Sequence, residues 1–332
     1  MSPANFAALT TLRVGGPVAR LMTATTAEEL VTAAADPDAL LVGGGSNLLV
    51  GDDGFPGTVV LVRTTGVEVD GDLVTVAAGE NWDGFVAEML AAGRGQLSAL
   101  SGIPGTVGAT PIQNVGAYGA DVSQFLTGVT VYDRELQKVR DMSAEDCGFG
   151  YRTSIFKRNS RRVVLSVTFR LPVCETASVT YPQLAGRLGV RVGDDAPAGA
   201  VRDAVLALRR SKGMVLDAED RDTWSVGSFF INPVVAEVPA AADGGPAHPA
   251  PAGVKLSAAW LIENAGFGPG FTVPGSGGRA ALSTKHTLAI TNRGGATAAD
   301  VLELAGHIRD GVWERFGVQL APEATLVGCE LR

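Results

Sequence analysis

The stretch "SGIPGTVGATPIQNVGAYG", residues 101–119, contains five glycines and no charged side chain. Loops on a protein surface usually carry charge, and the interior of a strand usually carries fewer glycines. A segment so poor in side chains lets a ligand approach the backbone closely. We therefore interpret residues 101–119 as a loop that lies against a ligand.

A second uncharged glycine loop precedes it, in "GGGSNL" at residues 43–48. Gly43 and Gly45 fit the start of a dinucleotide-binding fingerprint, but Leu48 stands where that motif needs its third glycine. Successive backbone N–H groups can still form an anion-binding nest without any lysine. The two loops therefore indicate a phosphate-containing ligand, while tight turns between strands remain an alternative.

Composition narrows the class of protein. The 332 residues are 46% hydrophobic and 19% charged, and the formal net charge is −8 without a basic run. Such a balance predicts a globular chain with no general affinity for nucleic acid or for an anionic membrane. We see no secretory signal, no apolar run of roughly 18–20 residues and no His or Cys pair at metal-ligand spacing. We expect a metal-free, monomeric protein in the cytoplasm.

The hydrophobic patterns alternate between helix and strand periodicities, so we expect both helices and strands along the chain. Asp70 and Gly71 are expected at the turn of the first hairpin, and residues 241–253 are expected to form a flexible or extended loop, to which we assign no role. The predicted elements are hairpins over 67–76 and 129–142, a buried strand over 161–172, helices over 82–92 and 198–212, strands over 286–292 and 318–328, and a helix that Thr297 and Asp300 open between these last two strands.

Three polar residues are candidates for chemistry. Arg152 follows Tyr151 in "YRTSIFK", and Ser228 stands at the mouth of a predicted strand in "GSFFINP". Glu323 lies inside an apolar strand pattern, where a carboxylate is costly unless it is paired. Each of them alone also fits a structural role, as a solvated helix end, a structural serine or an outward-facing edge-strand glutamate.

Taken in order, the motifs resemble the UDP-N-acetylenolpyruvoylglucosamine reductase (MurB) family of bacterial peptidoglycan synthesis. The resemblance extends from about residue 9 to residue 328, and "VTYPQL" at 179–184 is similar to the longer, type I form of the family. The segments that carry it are "TTLRVGGP" (10–17), "LVGGGSNLLV" (41–50), residues 101–119, "YRTSIFK" (151–157), "GSFFINP" (227–233) and "LAPEATLVG" (320–328).

The resemblance implies a two-lobed FAD-binding unit of the vanillyl-alcohol-oxidase (PCMH-like) kind, followed by an α+β substrate-binding domain. The implied domains are FAD-binding lobe 1 at 1–66, lobe 2 at 67–172, a type I connecting segment at 173–210 and the substrate-binding domain at 211–332. FAD would be bound without a covalent link. Its implied contacts are Gly43, Gly44, Gly45, Ser46, Asn47, Gly105, Thr106, Gly108, Gln113, Asn114 and Gly116.

The implied reaction reduces the enol ether of UDP-N-acetylglucosamine enolpyruvate to UDP-N-acetylmuramate. NADPH would reduce FAD, and the hydride would then pass to the vinyl carbon of the substrate. Arg152 and Glu323 would stabilise the enolate that forms, and Ser228 would protonate it. The implied substrate contacts are Tyr151, Tyr181, Lys212, Asn232 and Lys255, and Ile231 stands where relatives often carry a basic residue.

Two other functions are compatible with these motifs. One is a flavoenzyme of the same fold that oxidises a small alcohol with oxygen as acceptor, in which the set of Arg152, Ser228 and Glu323 would have no evident purpose. The other is a non-catalytic protein that binds a flavin or a nucleotide sugar. Reduction of a bound flavin by NADPH without oxygen, followed by its reoxidation by the enolpyruvyl UDP-sugar, separates both from the reductase.

Overall fold

The structure, a computed structural model, describes residues 4–332. These residues form two compact units. The central unit comprises residues 20–44 and 57–211, and the terminal unit comprises residues 4–19, 45–56 and 212–332. Both units are built from separated segments of the chain. The four contiguous domains of the sequence analysis follow a different division, and they stay a prediction.

Helices and short strands alternate along the chain, as the periodicities predict. The α-helices of the described residues are α1 (Ala27–Ala34), α2 (Trp82–Ala91), α3 (Pro182–Leu188), α4 (Ala198–Ser211), α5 (Ala258–Asn264) and α6 (Ala298–Phe316). Within residues 4–332, none of the helices is both long and apolar enough to cross a membrane. The strands are β1 (Val18–Ala24), β2 (Leu40–Val42), β3 (Leu48–Val50), β4 (Phe55–Val62), β5 (Val67–Asp70), β6 (Leu73–Ala77), β7 (Gly116–Ala117), β8 (Ala120–Asp121), β9 (Leu126–Asp133), β10 (Lys138–Ser143), β11 (Arg162–Arg170), β12 (Thr176–Ser178), β13 (Asp195–Pro197), β14 (Val234–Val235), β15 (Ala247–Ala250), β16 (Gly253–Leu256), β17 (Ala280–Leu282), β18 (Ile290–Asn292) and β19 (Thr325–Val327).

A five-stranded antiparallel sheet organises the central unit, in the order β10-β9-β11-β6-β5. Its middle strand, β11, is apolar and buried over most of its length, which suits a strand covered on both faces. Helix α2 packs on this sheet, where the ring of Phe85 stacks on the ring of Phe169 with centroids 5.6 Å apart. A smaller sheet, β1-β4-β2, contains a parallel pair between β2 and β4.

Helix α6 forms the centre of the terminal unit. The side chains of Thr297 and Asp300 form a reciprocal capping box at its N-terminus. Its apolar stripe, Val301, Leu304, Ile308 and Val312, is buried, as the sequence predicts. The parallel pairing of β3 with β19 joins residues from opposite ends of the chain within this unit.

Several sequence predictions need correction. The turn of the first hairpin is formed by Gly71 and Asp72, because Asp70 pairs with Leu73. Residues 241–253 are not a plain loop, because β15 pairs with β16 across them. The strands predicted over 286–292 and 318–328 shrink to β18 and β19, and Pro322 interrupts the second pattern.

Candidate active site

The two glycine loops of the central unit pack directly against each other. A Cβ atom placed on Gly44 would lie 2.7 Å from the Cα of Gly105, and one on Gly43 would lie 2.5 Å from the hydroxyl of Thr106. Gly105 also has φ +125, which side chains rarely tolerate. Close packing of the two loops, rather than flexibility, therefore explains the glycines at these positions.

The same loops offer backbone donors for an anion. Over the described range 4–332, no backbone hydrogen bond takes up the N–H of Gly44 or that of Gly105. Both glycines are only half-buried, so their backbone is partly open to solvent. Backbone N–H groups of this kind bind phosphate without a cationic side chain. The loops therefore fit the diphosphate of a dinucleotide such as FAD.

Other predicted cofactor residues have structural partners in the same unit. The amide of Gly108 donates to the carbonyl of Ala78, and a Cβ on Gly108 would lie 2.4 Å from the Cβ of Ala78. The side chain of Asn114 donates to the carbonyl of Gly150 and accepts the amide of Ser123. Gln113 is half-buried in the same segment. Direct contacts of these residues with a cofactor stay a prediction.

Arg152 is held in a defined orientation. Its guanidinium donates to the carbonyl oxygen of Gly116 at 2.5 Å and to that of Asn114 at 3.4 Å, and it pairs with Asp121 at 3.2 Å. Its backbone has φ +50, an uncommon conformation for arginine, and its carbonyl accepts the ammonium of Lys157 at 2.7 Å. This arrangement is not a solvated helix end. It links Arg152 to residues 114–116, where the glycine-rich loop continues.

Tyr118 is a residue that the sequence reasoning missed. Its ring meets that of Tyr181 edge to face, with centroids 5.6 Å apart and an interplanar angle of 88°. Burial raises the pKa of the Tyr118 phenol, which keeps it neutral. Tyr181 is itself 40% exposed at the N-terminus of α3, and Tyr151 is 47% exposed. The available signal was a lone aromatic ring inside a loop otherwise depleted of bulky side chains.

In the terminal unit, a short antiparallel pairing brings the segment that contains Ser228 next to the segment that contains Glu323. The amide of Glu323 donates to the carbonyl of Phe229 at 2.8 Å, and Phe230 pairs with Pro322. The strand predicted after Ser228 is reduced to a single bridge at Phe230, and Glu323 precedes β19 instead of lying inside a strand. Both residues are half-buried. A hydroxyl and a carboxyl group are thus placed on neighbouring segments.

Asn47 supports this pairing from the segment 45–47. Its side-chain amide donates to the carbonyl of Glu323 at 3.3 Å, and its own carbonyl accepts the amide of Thr325 at 3.0 Å. A Cβ on Gly45 would lie 2.0 Å from the carbonyl oxygen of Leu9, so this glycine is also required by close packing. Ser46, between them, is half-buried.

The predicted substrate residues of the terminal unit fall into two places. Asn232 accepts the amide of Ala258 through its side-chain oxygen, at the start of α5. Lys255 on β16 pairs with Val234 on one side and with His248 on the other. Val234 is two residues from Asn232, so Lys255 and Asn232 lie in the same part of the unit. Lys212 directly follows the end of α4. Arg152 belongs to the central unit, and its convergence with Ser228 and Glu323 stays a prediction.

Comparison with known proteins decides the family. The profile of an FAD binding domain matches residues 7–139, and that of the C-terminal domain of UDP-N-acetylenolpyruvoylglucosamine reductase matches residues 218–327. The reductase of Nocardia farcinica is 54% identical over 344 residues, which cover 98% of this chain and 89% of the relative. This chain belongs to the UDP-N-acetylenolpyruvoylglucosamine reductase family.

Further relatives agree with this assignment. The reductase of a Mycobacterium species (strain MCS) is 52% identical, over 98% of this chain and 95% of its own length. The crystal structure of the reductase MurB from Thermus caldophilus superposes with a TM-score of 0.69 at 27% identity, over 98% of this chain and 97% of that one. The predicted family and the predicted α+β fold with an FAD-binding domain are thus confirmed.

The family profiles also divide the candidate residues. Both glycine loops fall within the FAD binding domain profile, and Ser228, Asn232, Lys255 and Glu323 fall within the C-terminal domain of the reductase family. Tyr151, Arg152, Tyr181 and Lys212 lie between the two matched ranges. Among residues 4–332, no three His, Cys, Asp or Glu side chains are grouped so that they could hold a metal ion.

Proposed function

We propose that this chain reduces UDP-N-acetylglucosamine enolpyruvate to UDP-N-acetylmuramate in bacterial peptidoglycan synthesis. It is an FAD-dependent oxidoreductase with NADPH as the reductant. The observation that carries the proposal is the 54% identity to a named reductase over 98% of the chain.

The glycine loops would hold the cofactor through their backbones. The N–H groups of Gly44 and Gly105 supply donors to the diphosphate, with Gly43 and Thr106 packed beside them. Charge-assisted hydrogen bonds of this kind contribute about 1.5–3 kcal/mol each, so several of them can retain a dianion on an acidic protein. When bound, FAD supplies the hydride that the vinyl carbon of the substrate receives. In the terminal unit, Gly45, Ser46 and Asn47 would extend the same backbone contacts.

Ser228 would act as the general acid. After the vinyl carbon has been reduced, the neighbouring carbon carries the negative charge of an enolate and is strongly basic. A hydroxyl is a weak acid, but it is adequate for so basic an acceptor. This matching of acid and acceptor explains why the proposed mechanism needs no histidine.

Arg152 and Glu323 would stabilise the enolate. The guanidinium of Arg152 is already fixed by Gly116 and Asp121, so it need not reorganise as charge develops. Preorganised donors of this kind are worth about 2.7–4 kcal/mol at a transition state. Glu323, next to the Ser228 segment, contributes as a protonated carboxyl group or through a water molecule, since a bare carboxylate would repel the enolate.

The substrate diphosphate and sugar would be held by aromatic and cationic side chains. Tyr181, braced by the ring of Tyr118, would cover part of the substrate, and Tyr151 is exposed beside Arg152. In the terminal unit, Lys212 and Lys255 supply positive charge for phosphate, and the side-chain NH₂ of Asn232 supplies donors. Since Ile231 cannot contribute a charge, the phosphate depends more on the two lysines.

The decisive experiment compares Ser228→Ala with the wild-type protein under anaerobic conditions. NADPH is expected to bleach the flavin absorbance of both proteins, because the first half-reaction does not use the hydroxyl. Addition of the enolpyruvyl UDP-sugar should give product about 100-fold more slowly in the variant, the scale of a lost general acid. Absorbance and product formation are followed by rapid mixing.

A matched control is Ser276→Ala, in the same unit, whose hydroxyl donates to the carbonyl of Val273 and accepts the amide of Gly278, both in its own turn. Its two half-reactions should both proceed at the wild-type rate. Unimpaired product formation in Ser228→Ala would remove this serine from the mechanism. A wild-type flavin that only oxygen can reoxidise would instead indicate an oxidase.

The working state of the protein is also part of the proposal. We propose that the chain acts as a monomer in the cytoplasm, without nucleic acid as a partner. The net charge of −8 supports the last point, because it opposes association with a polyanion. Light scattering of the holoprotein tests the monomer, and retention on a heparin column tests the affinity for polyanions.

A further inference from the structure

Asp83 lies in the first turn of α2 and connects two parts of the central unit. Its carboxylate accepts the amide N–H of Gly102 at 2.6 Å. It also forms a bidentate pair with Arg202 of α4, at 2.6 and 2.9 Å. Arg–carboxylate pairs of this geometry are strong and directional. The start of the glycine-rich loop is thus tied to two helices through one carboxylate.

The other side of Gly102 is held as well. Its carbonyl accepts the Nε–H of Arg209, which is only 8% exposed. Arg202 and Arg209 are seven residues apart on α4, so they lie on one face of that helix. Gly102 itself has φ +71. Both hydrogen-bonding groups of this glycine are therefore fixed by charged side chains.

The charged side chains around Gly102 are partly or largely buried, and removing charge from water costs free energy. Burial lowers the pKa of the Arg209 guanidinium, since it disfavours the charged form. Burial acts against the charged form of Asp83 too, but the hydrogen bonds from Arg202 and from the amide of Gly102 outweigh it and lower the pKa of this carboxyl. Purely structural contacts between helices rarely need a buried arginine, because apolar residues of similar size pack as well.

The consequence lies three residues further along the loop. Gly102 precedes Gly105, whose N–H and close packing on Gly44 form the phosphate-binding surface proposed above. We propose that Asp83 is a positioning residue, which with Arg202 and Arg209 fixes the peptide groups of Gly102 and thereby presents the loop 102–106 to FAD. This inference rests on the proposed function, because it needs that loop to contact the cofactor.

Two substitutions at one position separate the amide contact from the ion pair. Asp83→Asn keeps an oxygen that can accept the Gly102 amide, whereas Asp83→Leu removes the acceptor at similar size. The matched control is Asp194→Asn, which breaks an exposed ion pair with Arg191 in the same unit. Hydrogen exchange of the amides of Gly102, Ile103, Gly105 and Thr106 is measured in each apoprotein, and the FAD dissociation constant is measured by flavin fluorescence on reconstitution.

We expect faster exchange at Gly102 in Asp83→Leu and an FAD dissociation constant raised about 10-fold or more, the effect of leaving a buried donor unpaired. Asp83→Asn should stay within about threefold of the wild type, because its amide oxygen still accepts the Gly102 N–H. The control should match the wild type in both measurements. The thermal midpoint is not a readout for this role, because any structural damage lowers it.

Unchanged exchange at Gly102 in Asp83→Leu would overturn the positioning role. So would faster exchange with unchanged FAD affinity, or an Asn variant as impaired as the Leu variant. Failure of the proposed function looks different, since the wild-type protein itself would then not bind FAD. The two ideas are therefore tested by separate measurements.

Discussion

Gly44 leaves no room for even one more carbon atom. Its imaginary Cβ would lie 2.7 Å from the Cα of Gly105 and 3.3 Å from the nitrogen of the same residue. Backbone atoms cannot move aside as the end of a flexible side chain can. The residue at this position is therefore dictated by the contact between the two glycine loops.

We expect Gly44→Ala to weaken FAD binding. The added methyl group would push Gly105 and Thr106 away and so displace the backbone N–H donors of the two loops. A loss of two charge-assisted hydrogen bonds corresponds to an affinity at least about 100-fold lower. The dissociation constant is measured by fluorescence during reconstitution of the apoprotein. Gly199→Ala, where nothing lies within 4 Å of the added methyl group on α4, should bind FAD normally. Tight FAD binding by Gly44→Ala would show that the loops do not hold the cofactor.

Arg152 shows how far single residues can be predicted. Its charge and its place in "YRTSIFK" identify it as a candidate, but not its φ of +50 or its contact with Gly116. A left-handed conformation at a residue other than glycine arises only when the surroundings enforce it. Asn114 and Tyr118, with φ of +46 and +51, are further examples in the same region. Their partners are distant in sequence, so no local pattern indicates them.

Among the elements, helix α6 was the most predictable. A capping pair at Thr297 and Asp300 and an apolar stripe with helical spacing define it in the sequence. What the sequence does not reveal is its support from elsewhere: Asp52 accepts the amides of Ala298 and Ala299, and Arg279 pairs with Asp300. Local signals thus predict the helix, and tertiary contacts complete its N-terminus.

Short strands were harder to predict for a physical reason. β18 and β19 have three residues each, and their length is set by where partners end rather than by the apolar run. The hairpin of β15 and β16 contains Pro249 in a strand with only one neighbour, where a missing N–H is tolerated. Its alanine- and proline-rich sequence carries no strand signal, which explains the wrong prediction of a plain loop.

Asp300 gives α6 a predictable dependence on pH. The hydrogen bond from Arg279 and the amide and hydroxyl of Thr297 hold the pKa of this carboxyl below its usual value, although partial burial opposes them. A carboxyl whose pKa is lowered on folding stabilises the folded state above its unfolded pKa of about 3.9 and loses that contribution as the pH falls further.

We therefore expect Asp300→Asn to be less stable than the wild type at pH 7, by about 1 kcal/mol as for a lost helix cap. The difference in the free energy of unfolding should shrink as the pH falls below about 4, where the wild-type carboxyl also becomes neutral. Urea denaturation between pH 2 and pH 7 measures it. Asp310→Asn, on the exposed side of the same helix, should show a smaller effect at pH 7. A difference that does not change with pH would contradict the role of this carboxylate.

The two compact units of the molecule do not follow one another along the chain as consecutive domains. The terminal unit takes residues 4–19 and 45–56 from the first part of the chain and combines them with 212–332. β3 supplies the strand that pairs with β19, and Leu12, Val14 and Leu49 are buried in the core around α6. A boundary drawn once along the sequence, such as that at residue 211, cannot express this arrangement.

A fragment of residues 212–332 is consequently expected not to fold cooperatively by itself. It lacks β3 and three buried side chains worth about 1.5–3 kcal/mol each, which together approach the stability of about 5–15 kcal/mol typical of a domain. Thermal unfolding followed by near-ultraviolet circular dichroism tests this, since the signal requires packed aromatic rings. A second fragment, in which flexible linkers join residues 4–19 and 45–56 to 212–332, should recover a sharp transition because it restores the complete core. If residues 212–332 alone unfold as sharply as the linked fragment, then the segments from the first part of the chain are not required for the core of the terminal unit.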